Sequence, residues 1–161
     1  MEIVLDPPHG VPPVRMGMAF EDAVEAAAAW GEVRVSGPFD HDPTVKIQSM
    51  GDGFDVLVIL KDQKMVNAVD VSCAEEEDSD LRVLYRGLDV FRTPARQLLK
   101  MFADEGYRID ETNPEEPVVL DLTIAFSRWT SQEVPLDPED GLPLYFTAAL
   151  VSNENPATDN A

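Results

Sequence analysis

Apolar positions along the chain follow two periods, and the changes between them mark out its elements. Residues 2–5 form a short apolar run ended by Asp6-Pro7-Pro8, and Val11 to Met18 is extended but broken by proline, which restricts it to an edge strand. The period then changes to that of a helix. Phe20, Ala23, Val24 and Ala27 share one face, Glu21 and Asp22 favour the positive end of the helix dipole, and Gly31 stops the helix after Trp30. A period of two follows, which predicts an antiparallel meander. Its strands are Glu32–Ser36, Val45–Met50, Phe54–Leu60 and Met65–Cys73, with a hairpin signal at Gly51-Asp52-Gly53. Val56 to Leu60 is apolar at every position, which predicts a central strand covered on both faces.

Ala74-Glu75-Glu76-Glu77-Asp78-Ser79-Asp80 interrupts the pattern and reads as a solvated connector. Beyond it, Leu81–Tyr85 is strand-like. Thr93-Pro94 predicts a helix start, with threonine as N-cap and proline at the first helical position. Ala95, Leu98, Leu99 and Phe102 form the apolar stripe of that helix, and Gly106 ends it. Tyr107–Glu111 reads as a short strand. Val118 to Trp129 alternates as one long half-buried strand, with Val118, Leu120, Leu122, Ile124 and Phe126 on the inner face. A Pro- and Asp-rich loop over 131–143 leads to a last strand at Leu144–Val151, and the tail 153–161 has no periodicity.

These elements predict an α+β fold of antiparallel sheet with one helix in each half, a single domain over residues 1–152 and a flexible tail over 153–161. Residues 11–73 and 81–151 follow the same outline, and Arg15-Met16-Gly17-Met18 is echoed by Tyr85-Arg86-Gly87-Leu88. A tandem pseudo-repeat and two unrelated sheet-plus-helix segments both fit this outline, as do one sheet and two.

Charge narrows the range of partners. The 161 residues carry 31 Asp and Glu against 12 Lys and Arg, a formal net charge of −19. Such a field repels nucleic acid and anionic membrane surfaces and attracts basic proteins. It also serves solubility by itself. Cys73, the single cysteine, cannot form an internal disulfide and reads as a small buried hydrophobe. No apolar stretch reaches the roughly 18 residues of a membrane span, and the N-terminus has no basic segment followed by an apolar one. The expectation is a cytoplasmic protein.

Candidate chemistry is sparse. His9 and His41 both fall in turns, and no nucleophile elbow or phosphate-binding glycine loop occurs. Asp40-His41-Asp42 would need further ligands to hold a metal, and Asp137-Pro138-Glu139-Asp140-Gly141 lacks the ligand order of a calcium loop and reads as a solvated turn. No catalytic residue is assigned, and no metal or cofactor is expected. Trp30 and Phe102 read as core, whereas Trp129, ending a strand on its polar face, is a candidate anchor for a partner.

Val14-Arg15-Met16-Gly17-Met18, followed by the acid-started helix and Trp30-Gly31, resembles the opening of the small α+β units of SmpA/OmlA-type and, in tandem, β-lactamase-inhibitor-type binding proteins. The resemblance implies a short helical element packed on an antiparallel sheet, and binding without catalysis. The chain departs from those families in showing no export signal and no pair of cysteines.

The combined expectation is a non-catalytic acidic protein that binds a basic partner, such as an immunity protein or inhibitor of a cationic toxin or nuclease. Glu75, Glu76, Glu77, Asp78, Asp80 and Trp129 are the expected contact residues. Two alternatives are an enzyme with a carboxylate and histidine metal site near Asp40-His41-Asp42, and a structural domain whose acidity serves solubility only.

Overall fold

The structure is a computed structural model that describes residues 1–51, 53–73, 81–128 and 134–155. The chain begins with β1 (Glu2–Val4). A hairpin of β2 (Gly10–Val11) and β3 (Val14–Arg15) follows, then α1 (Phe20–Ala27). A meander comes next, made of β4 (Glu32–Ser36), β5 (Val45–Gly51), β6 (Phe54–Leu60) and β7 (Ala68–Cys73). The order is then repeated. A hairpin of β8 (Arg82–Tyr85) and β9 (Leu88–Asp89) precedes α2 (Ala95–Asp104). A second meander consists of β10 (Ile109–Asp110), β11 (Val118–Val119), β12 (Ile124–Ser127) and β13 (Ala148–Ser152).

The final strands of the two meanders pair antiparallel, β13 with β7, and merge both meanders into one eight-stranded sheet of order β10-β11-β12-β13-β7-β6-β5-β4. The strand order runs outward in the same sense from this central seam. One hairpin differs from the other, because β8 also pairs in parallel with β1 and makes a three-stranded sheet β1-β8-β9. A glycine at φ +83° accompanies each hairpin, Gly17 after β3 and Gly87 in the turn between β8 and β9. A residue with a Cβ is strained at that angle, which explains the glycine in both echoed segments.

Helices and hairpins form a second layer on one face of the large sheet. Ile47, Val56, Val58, Leu60, Val69, Val71, Ile124, Phe126, Ala149 and Val151 point into it, each fully buried. They meet Ala23 and Ala27 of α1, Ala95, Leu98 and Phe102 of α2, and Val11, Val14 and Val83 of the hairpins in one core. Its centre is aromatic: Tyr85 lies 5.2 Å from Phe102, Phe102 5.9 Å from Phe126, and Phe126 5.1 Å from Phe146 between ring centroids. These separations are those of favourable ring pairs. Trp30 and Phe102 are core residues as expected.

Several local expectations are corrected. Val118 to Trp129 is not one strand. It folds back on itself through a 3-10 turn at Leu120–Leu122 and Thr123 at φ 47°, so that β11 and β12 pair as Val118↔Ala125 and Val119↔Ile124. Val119 is therefore an inward residue and Val118 an outward one. The turn is held from β10's side, where the Arg108 backbone N–H and guanidinium both donate to the Asp121 carboxylate, at 2.7 Å and 2.8 Å. A period-two pattern does not reveal a tight turn whose residues keep the alternation.

Thr93 does not cap α2. Its hydroxyl donates to the Asp89 carbonyl at 2.7 Å, and Pro94 occupies the N-cap. Val11 to Met18 is a hairpin in place of one edge strand, and the last strand starts at Ala148, four residues beyond its expected start. Cys73 is only partly buried, since it ends β7 at the rim of the sheet. The 137–141 segment is an exposed turn at residues 138–141, as expected, but it is anchored at its first residue. Asp137 is 7% exposed, and Arg96 on α2 reaches Asp137 at 3.1 Å, Glu139 at 2.5 Å and Asp140 at 3.3 Å.

Candidate interaction surface

The second face of the eight-stranded sheet has no covering layer among the described residues. Side chains alternate along each strand, so every residue between two core positions faces outward. On β6 these are Asp55, Leu57 and Ile59, on β7 Asp70 and Ser72, on β13 Leu150 and Ser152, on β12 Ala125 and Ser127, and on β11 Val118. All are partly exposed. Two small residues of this face, Ala68 and Ala148, are buried by their neighbours. The expected cover on both sides of Val56–Leu60 is thus absent, because α1, α2 and both hairpins lie on the same side.

The register puts the outward residues side by side. Leu57 on β6, Asp70 on β7 and Leu150 on β13 are consecutive cross-strand partners, and Ala125 and Val118 continue the row. Asp70 stands beside the seam between the two meanders, at mid-length of the strand pairing, with a leucine on each side. Among the described residues it has no hydrogen bond and no ion pair. Asp55, the outward carboxylate on the neighbouring strand β6, accepts both of its contacts from the Gln48 side-chain amide, at 3.0 Å and 3.2 Å. Burial first, and the negative charge of Asp55 second, push the Asp70 carboxyl up to about 6.

Charge on this face is segregated. The outward residues of the five strands β6, β7, β13, β12 and β11 include Asp55 and Asp70 and no basic residue. Arg34 and Lys46 sit at the β4–β5 edge, two or more strands from Asp70. At the hairpin end, Met50, Gly51, Phe54, Asp55, Ser72 and Cys73 line an open depression continuous with the face.

Most basic side chains are engaged inside the molecule. Arg15, Lys61, Arg86, Arg92, Arg96, Lys100, Arg108 and Arg128 each lie within 4 Å of a carboxylate. With 31 acids against 12 bases, these pairs leave a large surplus of carboxylates without an internal counter-charge. Arg128 is the most buried of the eight. It donates to the carbonyls of Pro114 and Pro143, each at 3.2 Å, and its guanidinium lies over the Phe146 ring. Together with Arg96 it ties the 134–143 loop to the body of the protein.

The residues expected to make contacts, Glu75, Glu76, Glu77, Asp78 and Asp80 of the connector and Trp129, all lie outside the described residues. Asp40 and His41 are exposed in a tight turn closed between Phe39 and Asp42, and the Asp42 carboxylate accepts the Thr44 N–H at 2.9 Å. Among the described residues no three His, Cys, Asp or Glu side chains cluster to hold a metal ion, and no helix is long and apolar enough to cross a membrane. The sequence contained one sign of the open face: Asp70 interrupts the apolar run Ala68–Cys73 on its outward side. No family model, characterised protein or solved structure matches the chain.

Proposed function

We propose that this chain is an acidic binding protein that captures a basic protein, and that its most concrete role is inhibition of a cationic toxin or nuclease in the cytoplasm. The observation that carries this reading is the open face of the large sheet. A sheet with a sealed core on one side needs no further apolar residues on the other, yet Leu57, Ile59, Leu150 and Val118 remain there around an unpaired carboxylate. Apolar surface with a few placed polar groups is what a protein interface uses at its centre. The surplus of acids supplies the long-range attraction that speeds capture of a basic partner. The resemblance to small tandem α+β binding units favours the same reading, and the acidic run 75–80 is a second contact region within it.

Affinity capture from the native host at about 50 mM and about 500 mM salt tests this reading. The expected result is a basic protein retained at low salt and released at high salt. Recovery of no basic protein at low salt contradicts it.

A further inference from the structure

We propose that the centre of the open sheet face is a receptor for one lysine or arginine side chain, carried by the partner on an apolar protrusion, with Asp70 as the acceptor and Leu57 and Leu150 as the walls. This inference rests on the binding-protein reading and names the contact at its core.

Three observations support it. Asp70 is a carboxylate between two leucines with no hydrogen bond or ion pair among the described residues, whereas Asp55 on the next strand is satisfied by Gln48. A partly buried carboxylate without a partner opposes folding, and a cation docked on it would relieve that cost. The location is also specific: Leu57↔Asp70↔Leu150 is a straight cross-strand row at the middle of an eight-stranded sheet, the part of a face that a docking partner desolvates most completely. Finally, the charges around Asp70 select the sign of the ligand. Asp55 faces it from β6, β13 contributes only Ala148, Leu150 and Ser152, and the basic residues of the face, Arg34 and Lys46, lie on the far side of β6. A second copy of this chain would bring its own net charge of −19 and so is disfavoured as the occupant.

The docked cation would hold Asp70 ionised, so binding should weaken as the pH falls through about 6, where the unliganded carboxyl takes up its proton.

The test uses the full chain and a displayed library of disulfide-cyclised random peptides selected at pH 7.5. The expected binders carry a lysine or arginine flanked by apolar residues. They lose about 30-fold or more in affinity against D70N, and weaken between pH 7 and pH 5 against the wild type but not against D70N. D70N is expected to fold at least as well as the wild type, because it removes an unpaired charge, and a thermal melt checks this. Cationic binders that keep their affinity for D70N but lose it when Glu75, Glu76, Glu77, Asp78 and Asp80 are replaced by Gln or Asn overturn the Asp70 receptor and leave the binding-protein reading standing. Binders with no enrichment in lysine or arginine overturn both.

Discussion

The two faces of the eight-stranded sheet are built from the same strands, residue by residue, yet they obey different rules. On β6, Val56, Val58 and Leu60 are fully buried against the helical layer, while Asp55, Leu57 and Ile59, one step along, remain partly exposed. On β7, Val69 and Val71 face inward and Asp70 faces outward. One face contributes stability through close packing. The other retains apolar side chains and a charge that packing does not explain. On β6 two of the six apolar residues, Leu57 and Ile59, thus lie outside the core, on the surface where we propose that a partner binds.

The comparison is broken most severely from the sealed side. Phe126→Ala should cost about 3–5 kcal/mol, since its ring sits between Phe102 and Phe146 with no exposure and would leave a cavity. Denaturant unfolding measures this directly, and a loss below about 1 kcal/mol would mean that the aromatic cluster is not packed as described.

The next effect has the opposite sign and comes from the open face. The folded-state carboxyl of Asp70 titrates at about 6, above its ordinary value of 3.8. A raised acid favours folding below its unfolded value and loses that contribution as pH rises through the folded one. Wild-type stability should therefore fall between about pH 4 and pH 6 on account of Asp70, by about 2–3 kcal/mol. Asp70→Asn should then be more stable than the wild type at pH 7.5, and the advantage should vanish near pH 3.5. Urea melts of both proteins across this range check the prediction.

A smaller gain is expected at one flaw of the sealed side. Ser49 is fully buried and its hydroxyl has no hydrogen-bond partner among the described residues. Ser49→Ala removes that unsatisfied group and should stabilise the protein by about 1 kcal/mol. Thermal denaturation reads the change.

The smallest effect on stability is expected for Leu57→Ser, which alters the open face without touching the core. It should cost less than about 1 kcal/mol, because Leu57 is already partly exposed, while weakening selected peptide binders severalfold. A cost comparable to that of Phe126→Ala would show that the open face is part of the core.

Much of this contrast could be read from the sequence, and the exceptions have physical causes. The stripe Ala95, Leu98, Leu99, Phe102 and the bounds of β4 and β6 follow from period alone, since each element is long enough to repeat its pattern. The β11–β12 turn did not show itself because Leu120 and Leu122 keep the alternation while the backbone reverses at Thr123, held by a contact between Arg108 and Asp121 that is 13 residues long in sequence. The open face was missed for a different reason. A strand that is apolar on both sides looks the same whether its second side is covered by the chain itself or kept for another molecule, and only the placement of both helices on one side distinguishes the two. The ion pairs of Arg96 with Asp137 and Asp140 span more than 40 residues and are likewise invisible to spacing.

The most direct test of the central claim is the titration of the Asp70 side-chain carboxyl by carbon-detected NMR, alone and in the presence of a saturating cationic peptide from the selection described above. The free protein should show a midpoint at about 6. With the peptide bound, the midpoint should move down by about 1–3 pH units, as a cation seated on the carboxylate holds it ionised. A midpoint that stays where it was, with the peptide demonstrably bound, would contradict the assignment of the open face as a receptor for a basic partner.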